Sequence, residues 1–464
     1  MSENQTEQAI VPENKMGTMG INKLLISMSL PMMISMIVQA LYNIVDSLFV
    51  ARISEDALTA ISLAFPIQTF MVALLGGTGI GAGTILSHAL GEKKFEKVNN
   101  IALTGIVITG IYFFVFLILG IFVSRPFFLL QTKDPTIVQY GYDYLSIILI
   151  ASLGVCMQFI FERLLISTGK SFFSMITQGT GAIINIILDP IFIFGINIKG
   201  VQIVPRMEVK GAAIATVIGQ LVAGIMALIF NIKFNKEIKL SVRNFKMQGH
   251  IVGAIYKIGI PSIIMQSIGS IMVFTFNKIL ISFTSTATAV FGVYFKLQSF
   301  FFMPVFGLNC GMVPIIAYNY GAQNKKRILS TMKLSMIYAT VIMILGFLVF
   351  QLLPNQLLAL FDASEEMTKM GAIALRIISI HFLIAGFDII GSSVCQSLGK
   401  AFYSMLISIA RQLVVLVPAA YLLSLSGNVN LIWWAFPIAE LMSLTMTSIF
   451  LAITYKKIIK PIHD

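Results

Sequence analysis

The chain has 464 residues, 57% of them apolar and only 11% charged, with mean hydropathy +0.90 and a net charge of +12. A water-soluble domain carries roughly 25% charged residues, so this composition excludes a string of ordinary soluble domains. The basic excess lies in short loops between apolar runs, which fits membrane topology and argues against a nucleic-acid partner.

Residues 1–20 are polar and lack a basic start followed by a short apolar stretch and a cleavage site. They read as a cytoplasmic tail, not a signal peptide. A helix needs about 20 apolar residues to cross the hydrocarbon. Runs of that kind predict spans at 21–50, 57–87, 98–123, 136–166, 172–197, 209–232, 252–283, 287–317, 328–353, 368–398, 402–425 and 430–455. With the N-terminus inside, the tails and cytoplasmic loops hold 18 Lys and Arg, against 7 in the opposite loops. Both termini are therefore expected on the cytoplasmic side of a membrane that the chain crosses repeatedly. The basic connection 234–250 follows the sixth span. It divides an N-lobe, 21–233, from a C-lobe, 251–456, with a second tail at 457–464.

An offset of 230 residues links the two halves. Pro31 meets Pro261, Gln68 meets Gln298, Gly91 meets Gly321, and Gly169-Lys170 meets Gly399-Lys400. Six spans per half give both halves the same orientation. The expected fold is an all-α membrane protein of twelve transmembrane helices, two six-helix bundles related by a pseudo-two-fold axis along the membrane normal. Parallel repeats of this kind are a transporter architecture. A channel more often repeats by oligomerisation, and nothing in the sequence suggests an enzyme.

Ionisable residues inside spans are costly and are functional candidates. The first half has Asp46, Glu162, Arg163 and Asp189; the second has Lys278, Lys296, Arg376, His381, Asp388, Arg411 and Glu440. Asp46 and Asp189 lie late in outward-running spans, at similar depth, and are expected to share one cavity. Asn185 precedes Asp189 by four residues and shares its helix face. With no Lys or Arg evident beside it, this acidic pocket suits H⁺ or Na⁺. Glu162 and Arg163 are adjacent and do not face each other, so each is expected to pair elsewhere, with a structural role favoured. His381 and Asp388 are seven apart on one span and read either as a second titrating site or as part of a structural ion pair. Asn277 stands near the place of Asp46 in the second half, allowing one residue of slippage, so the acid is not repeated.

Other features exclude chemistry. Cys156, Cys310 and Cys395 lie in apolar runs and predict neither a disulfide nor a metal site. The glycine run 76–83 lacks the Lys-Ser/Thr of a phosphate loop and lies within a span, where close helix packing explains it. The 25 Met and 36 Phe suit adaptable binding of organic cations, although each also packs against lipid and neighbouring helices.

The stretch from Gln39 through Asp46 to Arg52, together with Pro31, Asn185, Asp189, Pro190 and 211–216, resembles the multidrug and toxic compound extrusion (MATE) family. The resemblance covers nearly the whole chain, and 162–170 looks closest to its MepA-like bacterial subgroup. It implies a multidrug efflux antiporter that exports diverse, mainly cationic aromatic compounds in exchange for H⁺ or Na⁺, by rocking between inward-open and outward-open states. It implies no cofactor, no partner beyond small molecules and membrane lipids, and a monomer. In DinF-type members the first-helix Asp and the fifth-helix Asn and Asp form the cation site. These roles map onto Asp46, Asn185 and Asp189, with Thr216 as a fourth member; Glu162, His381 and Asp388 are secondary candidates. The seventh helix reads Gln266 to Ser270, without the Glu of NorM-type members. The wider superfamily includes flippases for lipid-linked precursors. The basic residues of the second half keep that alternative open, as does narrow metabolite export.

Overall fold

The structure, a computed structural model, describes residues 14–198, 201–241, 245–361 and 363–462. Lys199, Arg243 and most of the N-terminal tail lie outside the described residues. Seventeen helices occur among the described residues. The N-lobe comprises α2 (Ile21–Ala51), α3 (Glu55–Gly91), α4 (Phe95–Phe122), α5 (Ser124–Gln131), α6 (Pro135–Ile150), α7 (Leu153–Ser167), α8 (Ser171–Phe194) and α9 (Val209–Phe234), preceded by the short α1 (Lys15–Thr18). The C-lobe comprises α10 (Gly249–Ile281), α11 (Ser285–Gly321), α12 (Lys325–Leu352), α13 (Pro354–Ala359), α14 (Glu365–Ser379), α15 (Phe382–Ser397), α16 (Ala401–Ser424) and α17 (Val429–Ile459). Ten of these helices are long and apolar enough to cross a membrane, and two bent pairs bring the number to twelve.

The offset of 230 recurs in the local chemistry. Ser54 caps α3 by accepting from the Ala57 N–H, and Thr284 caps α11 by accepting from the Ala287 N–H. Such caps satisfy donors that a helix start leaves unpaired. Helices α4 and α12 are each preceded by a residue of positive φ, Lys93 at 59° and Gln323 at 55°. Gly169 and Gly399, at φ 90° and 80°, make the turns before α8 and α16, a conformation glycine adopts without a Cβ penalty. The α3 and α11 helices have 37 residues each, about 55 Å at 1.5 Å per residue. They exceed the roughly 30 Å of hydrocarbon and project beyond it.

Three expectations need correction. The spans 136–166 and 368–398 are not single rods: α6 and α7 meet at 48°, α14 and α15 at 46°. At the second break the Ser379 hydroxyl donates to the Arg376 carbonyl, a local bond that competes with the helical ladder. The segment after Phe194 is a hairpin, β1 (Ile196–Ile198) antiparallel to β2 (Val201–Val204); its β-branched residues suit paired strands. The tail placed at 1–20 ends earlier. From Asn14 onward the chain is docked, and Met16 is fully buried.

That docked segment seals one end of the molecule. The Asn14 amide donates to the Thr168 carbonyl and to Glu237 Oε1, both at 2.9 Å. Glu237, from the connection between lobes, also takes the Lys170 ammonium at 2.7 Å. From the C-lobe, Arg327 Nη2 donates to the carbonyls of Met16 and Met19 at 2.9 and 2.8 Å. Nearby the lobes touch closely. A methyl at Gly91 would collide with the Tyr318 carbonyl, and one at Gly321 with the His88 carbonyl. Tyr112 OH lies 2.6 Å from Tyr256 OH. Among the described residues, no hydrogen bond or ring contact bridges the lobes beyond Met33 on α2 and Gln266 on α10. The lobes are thus joined at the end carrying the termini and unbridged at the other.

Arg327→Ala removes both bonds to the carbonyls of Met16 and Met19. A hydrogen bond to a charged group contributes about 1.5–3 kcal/mol, so a loss of about 2 kcal/mol at this end is expected. Faster tryptic cleavage at Lys15, with global melting little changed, is the expected readout.

Candidate functional site: a polar cavity in the N-lobe

A cavity of about 590 Å³ lies within the N-lobe, walled by α2, α3, α6, α7, α8 and α9 and touched by Cys310 of α11. Its far end holds the acidic pair. Asp46, five residues before the end of α2, lines the cavity. Asp189 sits behind it on α8, fully buried. The two carboxyls are within hydrogen-bonding reach of each other. Each keeps its Oδ1 without another donor among the described residues.

Asn185 and Thr216 complete this group. In the amide orientation that satisfies both ends, the Asn185 NH₂ donates to Asp189 Oδ2 at 2.9 Å. Its oxygen then accepts from the Thr216 N–H at 3.0 Å and from Thr216 Oγ1 at 3.1 Å. Thr216 comes from α9, which packs tightly on α8; Gly181 and Gly219 let the backbones approach. The structure thus gathers Asp46, Asn185, Asp189 and Thr216 from three helices. Pro190 cannot donate to the ladder, yet α8 continues to Phe194.

Glu162 forms the other end of the cavity. It is 6% exposed and accepts from Gln158 at 3.2 Å, Thr177 Oγ1 at 2.8 Å and Gln178 at 2.7 Å. Gln178 and Asp189 are 11 residues apart on α8, so the two acidic stations are separated by about 16 Å along the axis. Arg163 also lines the cavity. The guanidinium stands at the Glu162 end, away from the Asp46–Asp189 pair.

The C-lobe differs. At the offset of 230, Asp46 meets Phe276, not Asn277, because α2 and α10 end in register. Phe276 is fully buried against Phe291, Trp433 and Phe436. His381 does not pair with Asp388. It stands at the break before α15, with Nδ1 3.4 Å from Glu440 Oε2 and Nε2 3.1 Å from Tyr294 OH. Arg411 Nη1 reaches the same Glu440 oxygen at 3.3 Å. Asp388 is directed at Glu440 and Ser443, and neither of its oxygens has a well-formed hydrogen bond. Lys278 lies over the Phe274 ring and Lys296 over the Phe361 ring.

Several lining residues escaped the sequence reading. Tyr42 contacts Thr216 and lies beside both acids. Its place four residues before Asp46 on one helix face was the available signal. Tyr144 accepts from Gln68 at 3.1 Å, a pairing across 76 residues that no local pattern shows. No cluster of three or more His, Cys, Asp or Glu that could hold a metal ion occurs among the described residues.

Two like bundles, the first enclosing a buried ionisable cavity, define the architecture of a polytopic membrane transporter. The MatE family model matches residues 31–191 and 261–422, two stretches at the same offset of 230. The chain belongs to the MatE family. It is 28% identical over 415 residues to the multidrug export protein MepA of Staphylococcus haemolyticus, covering 89% of each chain. It is 26% identical over 427 residues to MepA of Staphylococcus aureus strain MRSA252, covering 90% of each. Its fold is similar to that of an outward-facing multidrug resistance MATE transporter, with TM-score 0.88, 22% identity and coverage of 95% and 97%. It is equally similar to a MOP superfamily transporter from Pyrococcus furiosus whose binding pocket is described as having reversed polarity, with TM-score 0.88, 22% identity and coverage of 96% and 98%.

Proposed function

We propose that the chain is a multidrug efflux antiporter of a bacterial cytoplasmic membrane, exporting mainly cationic aromatic compounds against an inward flow of H⁺ or Na⁺. The observation that carries this is the contact between Asp46 and Asp189 at the head of a drug-sized cavity. Two ionised carboxylates repel, and the contact becomes attractive when a proton sits between them. That favours H⁺. Na⁺ would instead take oxygens of Asp46, Asp189, Asn185 and Thr216.

Supporting context comes from the relatives named multidrug export proteins. The excess of Lys and Arg at the sealed end supports a cytoplasmic position for that end and both termini, with the cavity facing outward. An ion from outside then neutralises the pair. Its differential affinity for the two lobe arrangements drives the exchange. The protein acts as a monomer, as two lobes 21–233 and 251–456 rocking about the 234–250 connection, without cofactor or catalysis. A flippase for anionic lipid-linked precursors wants a cationic central cavity. Lys278, Lys296 and Arg411 all lie outside this one, and Arg163, the basic residue that lines it, is outnumbered there by Asp46 and Glu162, which supports drug efflux instead.

The test is uptake of a fluorescent aromatic cation into proteoliposomes under a pH gradient or a Na⁺ gradient applied separately. Accumulation under one gradient names the ion. No flux under either, with intact protein, overturns the antiporter.

A further inference from the structure

Arg163 is a cation inside the membrane region that the antiport cycle above does not use. It lies in the last turns of α7, at the sealed end of the cavity. It also lines a small second cavity of about 40 Å³ beneath, together with Ser167 of the N-lobe and Asn309 and Gln396 of the C-lobe. A guanidinium carries five N–H donors. Among the described residues none of them makes a hydrogen bond or a close ion pair. The one recorded electrostatic neighbour is Glu162. It precedes Arg163 directly, faces a different side of the helix, and is already held by three neutral donors.

The neighbouring helix is shaped around this side chain. On α3, a Cβ added at Gly83 would lie 2.9 Å from Arg163 Cδ, and one added at Gly79 would lie 3.6 Å from its Cγ. Two of the five glycines in the run 76–83 thus open a lane along which the arginine stem extends. An arginine kept in the membrane region with its donors unused is costly unless it meets an anion or water there.

We propose that Arg163 is an anion-recognition residue at the floor of the cavity, holding a carboxylate of zwitterionic aromatic compounds whose cationic group faces the Asp46 end. This rests on the exporter reading and adds to it a carboxylate-specific subsite. The length fits. About 16 Å separates the Glu162 level from Asp189, enough for a compound of two or three linked rings with opposite charges at its ends. The guanidinium offers two parallel N–H groups to a carboxylate, which fixes orientation as well as charge. Purely cationic compounds gain nothing from it, so Arg163 sets selectivity and leaves the ion-coupling pair untouched.

The test is equilibrium binding to purified full-length protein in lipid nanodiscs. The probes are a fluorescent aryl-piperazine carboxylic acid and its methyl ester, which keeps the cation and loses the anion. Wild type is expected to favour the acid by about tenfold or more, the scale of one charge-assisted hydrogen bond. Arg163→Gln is expected to abolish that preference with ester binding unchanged, and Arg163→Lys to keep part of it. Gly83→Ala supplies a second route, because it retains the guanidinium while its methyl crowds the Ser167 hydroxyl and, at 2.9 Å, the arginine stem; its preference is expected to fall as well. Equal preference in wild type and Arg163→Gln, both monodisperse, overturns the subsite while ester binding preserves the exporter reading. Binding of neither probe to wild type overturns both.

Discussion

Asp46→Asn and Asp189→Asn are each expected to abolish ion-driven accumulation, and the double variant to be no worse than either alone. The two carboxyls meet, so they bind the coupling proton as a unit. One-for-one electroneutral exchange across one pH unit supports about a tenfold concentration ratio, because a tenfold proton ratio is equivalent to 1.36 kcal/mol. Wild-type vesicles should approach that ratio and the variants should stay near unity. The sign follows from the charge. An Asn is permanently neutral, so the pocket always resembles its protonated state and no longer distinguishes the acidic from the alkaline side. Binding of the organic cation at equilibrium should weaken less than flux in the single variants, because the other carboxylate of the pair remains. Retained accumulation in either variant, with normal expression and melting, would show that coupling lies elsewhere. Asn185→Ala is expected to fall between, since it removes a hydrogen bond to Asp189 Oδ2 and leaves both acids in place.

The acidic pair was legible in the sequence because membrane burial makes ionisable residues rare. Asp46 and Asp189 stood out against apolar runs, and helix direction placed them at similar depth. The repeat was legible because it is written in residues with special backbone demands, such as Pro31 with Pro261 and Gly169 with Gly399. Arg163 as a cavity residue was not legible. Its exposure depends on the glycine lane of α3, 80 to 84 residues upstream. The register of Asn277 failed for a related reason. Polar likeness suggested a one-residue slip, whereas the helix ends place Phe276 opposite Asp46, in an aromatic cluster that only the packed lobe reveals. The docking of Asn14 to Met19 was hidden because a short polar segment looks disordered until its partners, Thr168, Glu237 and Arg327, converge from distant parts of the chain.

The same asymmetry governs the C-lobe, where Glu440→Gln is expected to act on stability more than on coupling. Glu440 is 3% exposed and Arg411 28%, and both Arg411 and His381 converge on one Glu440 oxygen. Removing one partner from a buried ion pair costs about 3–5 kcal/mol, because the other charge is left uncompensated. The partial exposure of Arg411 argues for the lower end, about 3 kcal/mol. Replacing both partners together, Glu440→Leu with Arg411→Met, should recover most of the loss, since no unpaired charge remains. Asp388→Asn carries the opposite sign. It relieves a like-charge contact with Glu440 and should leave melting unchanged or raised. Thermal melting in detergent separates these three outcomes, with proteoliposome accumulation measured beside it. If Glu440→Gln instead melts like wild type and loses ion-driven accumulation, the C-lobe cluster is a second coupling site. The proton pathway would then run through both lobes and not through the Asp46–Asp189 pair alone.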